Sequence, residues 1–229
     1  MKKYEVVLFD ADDTLYDFSK IEENALETVF KDYGLSFKSD ILLKYREISE
    51  ELWFGYHNGE VSKEELQTLR FTRLFEIIGV NLDEAEFNRK YLTSLGKGDS
   101  LITDAYEICE EIVAKGKKIY IVSNGVLYTQ ELRSKYSKLK DFVSGFFVSE
   151  IVGYKKPNVR FFQYVLENIG PVEKENILVI GDSLSTDILG GNNVGIDTCW
   201  FNSSGNSNDS NIIPTYEIKE LKELKQFFI

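Results

Sequence analysis

Asp10, Asp12 and Asp13 crowd together directly after the apolar run Val6-Val7-Leu8-Phe9. A short apolar run bounded by polar residues reads as a buried parallel strand. Ligands of open α/β sheets bind outside the carboxyl ends of such strands. Along an extended chain Asp10 and Asp12 project to one side, Ala11 and Asp13 to the other. Carboxylates this close repel one another unless a cation sits among them. Two acids on one side with room for a hard cation suit phosphoryl chemistry: one attacks, one shuttles a proton, and Mg²⁺ screens the charge. The plainer alternative is a strand followed by an Asp-rich turn.

Three later segments are placed to meet those acids. Val122-Ser123-Asn124-Gly125 follows an apolar run, and a hydroxyl with exposed backbone N–H groups at a strand–helix turn holds phosphoryl oxygens. Gly153-Tyr154-Lys155-Lys156-Pro157 precedes a helical pattern and offers a lysine as a point charge for phosphate and nucleophile. Gly181-Asp182-Ser183-Leu184-Ser185-Thr186-Asp187 follows another apolar run; Asp182 there completes an oxygen-rich metal site, with Asp187 one turn on. Each segment also has a plain reading: an ordinary turn, a solvated lysine pair, and acids offsetting a helix dipole. Their occurrence together and in this order carries the argument.

The elements that must position these groups follow from periodicity. Residues 4–9, 119–122, 146–148, 176–180 and 198–201 read as strands, with helical patterns between the later ones, which predicts a parallel sheet. Residues 17–95 read as all helix. Ser19 and Glu22 are expected to form a capping box, with Ile21, Ala25, Val29 and Tyr33 on one face. A second helix is expected from Ser39 to Phe54, then a turn at His57-Asn58-Gly59. Ser62 and Glu65 form another box, Gly79 ends that helix, and Phe87, Tyr91 and Leu95 mark a fourth. Gly96-Lys97-Gly98-Asp99 reads as a linker. The fold class is therefore α/β, a Rossmann-like parallel-sheet core (residues 1–16 and 97–229) with an inserted all-helical domain (residues 17–96). Residues 202–211 read as a mobile loop, 217–228 as a closing amphipathic helix, and Gly190-Gly191-Asn192-Asn193 as a helix end lacking the Lys-Ser/Thr of a nucleotide loop.

Composition narrows the partners. The net charge of −11 disfavours polymeric nucleic acid and anionic membranes, while a small phosphorylated substrate remains compatible. No apolar stretch approaches a membrane span, and no secretory signal is visible, so a cytoplasmic location is expected. The two cysteines, Cys109 and Cys199, lie far apart in apolar segments and read as buried thiols. A single histidine, His57, excludes a multi-histidine zinc site and a Ser-His-Asp triad built elsewhere.

With these segments in order, the chain resembles the haloacid dehalogenase (HAD) superfamily of phosphohydrolases along its whole length. The insertion resembles that family's C1-type cap. The resemblance implies Asp10 as nucleophile, forming an aspartyl-phosphate, and Asp12 as the acid that protonates the leaving oxygen and then deprotonates water. It implies Mg²⁺ held by Asp10, the Asp12 carbonyl and Asp182, with Asp187 supporting that shell. Ser123, Asn124 and Lys156 would hold the phosphoryl group, Lys156 rather than Lys155 because it directly precedes proline. Thr14 would brace the loop. The second acid, Asp12, distinguishes phosphatases from the dehalogenases, which need no protonated leaving oxygen. FDADDTLYDF, LWFGYHNGEVS, VSNG, KKPNVRFF and GDSLSTDILGGNNVGIDTCWFN further resemble the house-cleaning pyrimidine 5′-nucleotidases of the superfamily. The implied substrate is a nucleoside monophosphate; the alternatives are a small sugar phosphate, a phosphomutase reaction, and a phosphate-binding sensor or scaffold without turnover.

Trp53, Tyr56, His57 and Asn58 are the candidates for gripping a substrate base, by stacking and hydrogen bonding. The alternative for Trp53 is helical-domain core. Tyr16 and Phe18 are placed either to wall the site or to pack the linker.

Overall fold

The computed structural model describes residues 4–228. It separates into two compact units, Met1–Ser19 with Asp99–Ile229, and Lys20–Gly98.

The first unit is built on a six-stranded parallel sheet. Strand β1 (Val6–Phe9) is followed by four helices, α1 (Phe18–Asp32), α2 (Ser39–Asn58), α3 (Lys63–Ile78) and α4 (Glu84–Lys97). Then come α5 (Ala105–Ala114), β2 (Lys118–Ser123), α6 (Leu127–Tyr136), β3 (Val143–Val148), α7 (Ser149–Val152), α8 (Val159–Asn168) and β4 (Ile177–Gly181). The chain closes with α9 (Leu189–Val194), β5 (Asp197–Phe201), β6 (Tyr216–Ile218) and a 3₁₀ segment, Leu221–Phe227.

Spatial order is β3-β2-β1-β4-β5-β6, all parallel, so β1 lies between β2 and β4. Phe9 is level with Ile121 of β2 and Ile180 of β4. This register brings Asp10, Ser123 and Asp182 out at one edge of the sheet. Both faces of the central strands are covered. Val6, Leu8, Ile177 and Val179 pack with Phe161, Phe162 and Val165 of α8 and Val194 of α9. Val7, Phe9, Leu178 and Ile180, on the opposite face, are fully buried as well. Covered parallel strands become near-continuous apolar runs, which is why these strands stand out in the sequence.

The second unit is helical throughout. Tyr45, Phe71, Phe87 and Tyr91 form its centre, with the Phe71 and Phe87 rings 4.8 Å apart. The Ser62–Glu65 box is present in both directions, and Gly79 takes the left-handed conformation after α3.

Several boundaries differ from the sequence reading. Helix α1 begins at Phe18, so Ser19 lies inside it, and the buried Glu22 carboxylate accepts from Arg46 Nε at 2.9 Å. Tertiary pairing took the glutamate that local capping predicted. His57 and Asn58 are not a turn: α2 continues through both, and Gly59 closes it at φ 80°. Helix α4 likewise runs through Gly96 and Lys97. The closing amphipathic helix is replaced by β6 and the 3₁₀ segment, because Cys199, Trp200 and Phe201 offered an open edge to Tyr216–Ile218. Residues 202–211 lack regular structure but are laced by their own side chains: Asn202 Nδ2 donates to the Asn206 carbonyl, and Asn202 Oδ1 accepts from Asn206 N, both at 2.9 Å. Cys109 and Cys199 are buried free thiols, as expected, and burial pushes Cys109 up to about 12.

Candidate active site

Lys156 is the hub of the sheet edge. Its Nζ donates to Asp10 Oδ1 and Asp187 Oδ1, each at 2.6 Å, and to the Val122 carbonyl at 2.8 Å. All three ammonium donors are thus used. Burial opposes its charge, but Asp10 and Asp187 outweigh that and hold its pKa above the ordinary lysine range. The Asn124 amide clamps its backbone from both sides, donating to the Lys156 carbonyl at 3.0 Å and accepting from Lys156 N at 2.8 Å. The Asn124 side chain therefore positions the lysine. Lys156, not Lys155, is the buried member of the pair.

Asp10 leaves β1 with its N–H on the Ile180 carbonyl at 2.8 Å. The loop then turns tightly. Asp13 adopts φ 60°, and its N–H donates to the Tyr16 carbonyl at 2.8 Å. Burial raises the Asp10 pKa well above its usual value; Lys156 counteracts this, while Asp187 and Asp182 add to it. Asp13 is pushed up to about 6 by burial and by Asp12. Thr14 Oγ1 accepts from Asp182 N at 3.1 Å, so it ties the β1 loop to the β4 loop.

Asp182 reaches solvent, yet desolvation by its surroundings and the charges of Asp187 and Asp13 push it up to about 7. The Trp200 indole pins its carbonyl at 2.8 Å. Asp187 is buried; its second oxygen accepts from Ser183 N at 3.3 Å. Gly181 makes this approach possible, since a Cβ there would stand 2.3 Å from Asp187 Cγ. One oxygen each from Asp10, Asp182 and Asp187 lies within 4.8 Å of the others. An all-oxygen donor set in which burial and neighbouring carboxylates push Asp10 and Asp182 up fits a hard divalent cation, whose charge would favour their ionised forms.

Ser123 is buried; its Oγ accepts from Gly125 N at 2.9 Å, which leaves its proton for an anionic oxygen. The Asp12 carboxylate is held by two residues that sequence reading missed. Arg133 Nη1 donates to Oδ1 at 2.7 Å, and Gln130 Nε2 lies 3.5 Å from Oδ2. They sit three residues apart on α6, but helical spacing alone does not say which loop that face meets. Tyr16 is packed inside, 4% exposed, its hydroxyl on Ser137 Oγ at 2.8 Å. A polar cavity of about 330 Å³ opens beside Asp13 and Asp182, walled by Trp200, Asn202 and Asn206.

In the helical unit, Trp53, Tyr56 and His57 form one aromatic cluster on the last turns of α2. The Trp53 and Tyr56 rings are 5.5 Å apart edge-on, those of Tyr56 and His57 5.6 Å. Trp53 is half-buried rather than core, and His57 and Asn58 are exposed.

A parallel sheet with strand-end acids, a buried lysine and a helical insertion after the first strand defines a class of hydrolase. The chain belongs to the family of haloacid dehalogenase-like hydrolases, which it matches over residues 4–195. It is similar to the HAD-hydrolase YfnB of Bacillus subtilis, 39% identical over 98% of this chain and 95% of that one. A crystal structure of YfnB bound to magnesium superposes with a TM-score of 0.90 over 99% of each chain. Two pyrimidine 5′-nucleotidases are also similar. YjjG of Escherichia coli is 31% identical over 98% of this chain and 97% of its own, and PynA of Streptococcus pneumoniae 32% over 96% and 93%. Hydrolases of this family generally use a divalent metal ion, and the carboxylates of Asp10, Asp182 and Asp187 could hold one here. Among the described residues, no helix is long and apolar enough to cross a membrane.

Proposed function

We propose that the chain is a Mg²⁺-dependent phosphomonoesterase that works through an aspartyl-phosphate, with pyrimidine nucleoside 5′-monophosphates as its first substrate class. The observation that carries this reading is Lys156 held between Asp10 and Asp187 at 2.6 Å, beside a converging set of carboxylate oxygens. The names of YjjG and PynA support the substrate class.

In this reading Asp10 attacks phosphorus and the ester oxygen departs. Lys156 counteracts part of the burial that disfavours ionised Asp10 and neutralises charge on the transferring group. Ser123 donates its free proton to a phosphoryl oxygen. Asp12 protonates the leaving oxygen, then takes a proton from the water that opens the aspartyl-phosphate. Mg²⁺, held by Asp10, Asp182 and the Asp12 carbonyl, supplies Lewis-acid charge neutralisation when bound. Asp187, engaged by Lys156 and Ser183, supports that shell from behind. The helical unit, Lys20–Gly98, acts as the cap, and Trp53, Tyr56, His57 and Asn58 provide the stacking and polar surface for a base.

The test is phosphate release with Mg²⁺ across UMP, dUMP, dTMP, purine monophosphates and common sugar phosphates, with Asp10→Asn as control. Preference for pyrimidine monophosphates is the expected result. Best activity on a sugar phosphate would remove the nucleotidase reading and keep the chemistry. Binding without turnover in the unaltered protein would favour a phosphate sensor instead.

A further inference from the structure

Arg133 carries a burial cost that the roles above leave unexplained. It is 2% exposed, and its Nε and Nη2 have no hydrogen-bond partner among the described residues. Its one ion pair among the described residues is with Asp12, whose side chain is 29% exposed. A buried guanidinium is expensive to keep unless its partners repay the lost hydration. This one commits its single strong contact to one carboxylate of the site.

The surroundings hold that contact in place. The Tyr16 ring lies against the guanidinium, 4.6 Å from centroid to Cζ. The Tyr16 hydroxyl donates to Ser137 Oγ at 2.8 Å, and that oxygen accepts from Leu139 N at 3.0 Å, which anchors the ring at the end of α6. The Tyr16 backbone bridges to Asp12 itself. Loop, ring and helix thus form one locked unit around the carboxylate.

We propose that Arg133 is the positioning residue for Asp12, with Gln130 as its assistant. The contacts divide the carboxylate into two oxygens with different tasks. Oδ1, at 2.7 Å from Arg133, is the anchor. Oδ2, met among the described residues by Gln130 alone at 3.5 Å, is the working oxygen that reaches the departing ester oxygen. A proton donor on a turn has rotational freedom that costs rate unless a neighbour removes it, because the donor must stand within hydrogen-bond reach of the oxygen it serves. Arg133 does not touch substrate; it acts through Asp12. The inference rests on the phosphomonoesterase reading.

Leaving groups separate this role from a structural one. The test compares kcat/KM for UMP, whose alkoxide must be protonated to depart, with kcat/KM for p-nitrophenyl phosphate, whose phenolate departs unaided. The ratio kcat/KM covers only the steps through departure, so the later hydrolysis does not mask the effect. Arg133→Gln is expected to lower kcat/KM for UMP by roughly 10²-fold while p-nitrophenyl phosphate falls only about fivefold. Arg133→Lys, which keeps a charge near Oδ1, recovers part of the UMP loss. Gln130→Leu, a milder change should Arg133→Gln fail to fold, shows the same bias on a smaller scale. Equal losses on both substrates, or no loss on either, overturn the positioning role. Failure of the unaltered enzyme to release phosphate from these two substrates or from any of the nucleotide and sugar phosphates named above overturns the phosphomonoesterase reading itself.

Discussion

Among the described residues each unit buries two cations, and one from each, Lys156 and Arg70, are treated in opposite ways. In the sheet unit, Lys156 spends its three donors on Asp10, Asp187 and the Val122 carbonyl. In the helical unit, Arg70 forms no ion pair among the described residues. Its Nη2 donates to Asn88 Oδ1 at 2.6 Å and its Nη1 to Tyr45 Oη at 3.3 Å, and its guanidinium lies against Tyr91 at 4.8 Å and Phe71 at 5.2 Å. Neutral amide, phenol and ring faces stabilise a charge without leaving anything reactive beside it. Carboxylates brought together around one ammonium leave groups whose protonation and nucleophilicity respond to a phosphate. A buried charge thus marks chemistry when its partners are themselves charged and reach a sheet edge. It marks architecture when its partners are neutral and enclosed.

The sharpest way to break this contrast is Lys156→Met. Removing the ammonium strands Asp10 and Asp187 as buried acids, so unfolding free energy should fall by about 3–5 kcal/mol and turnover should be lost. A folded, active Lys156→Met enzyme in denaturant titration and phosphate release would end the comparison.

Next in size is the response to Mg²⁺. Asp182 is pushed up to about 7 and Asp10 is raised well above its usual value. A carboxyl whose folded pKa lies above its unfolded one keeps its proton in the folded protein after the unfolded chain has lost it. Its stabilising share is present at low pH and is lost as pH rises towards about 7. A cation binds the ionised forms. The rise in Tm on adding Mg²⁺ should therefore be larger at pH 8 than at pH 6; a ligand at 100 times its Kd stabilises by about 2.7 kcal/mol. Equal shifts at the two pH values would show that Asp182 does not govern the site.

Arg70→Leu should cost about 1–3 kcal/mol, by leaving Asn88 Oδ1 unpaired, with turnover per folded enzyme unchanged. A loss of kcat without loss of stability would move Arg70 from architecture to chemistry. The smallest effect is Ser62→Ala, which removes one half of the capping box before α3 and should lower stability by about 1 kcal/mol, read as a modest drop in Tm.

Much of this was written locally. The apolar runs of β1, β2, β4 and β5 are legible because strands covered on both faces need apolar residues at nearly every position. Asp10, Ser123 and Asp182 are legible because each follows such a run at a turn, and Lys156 because it directly precedes Pro157 ahead of a helical pattern. The capping box at Ser62 and the end of α3 at Gly79 are decided by the residues themselves. What the sequence by itself determined is the order of elements, the identity of the groups at the strand ends, and the division into a sheet unit and a helical insertion. Only tertiary structure decided the rest. It turned Glu22 from a local cap to Arg46, drew Tyr216–Ile218 onto the open edge of β5, and used the Asn124 side chain as a clamp on Lys156. It alone chose Arg133 and Gln130 as the partners of Asp12, residues more than a hundred positions away in the chain. The reason is physical: periodicity and capping are set within a few residues, whereas the partner of a buried charge is set by which surfaces the sheet brings together.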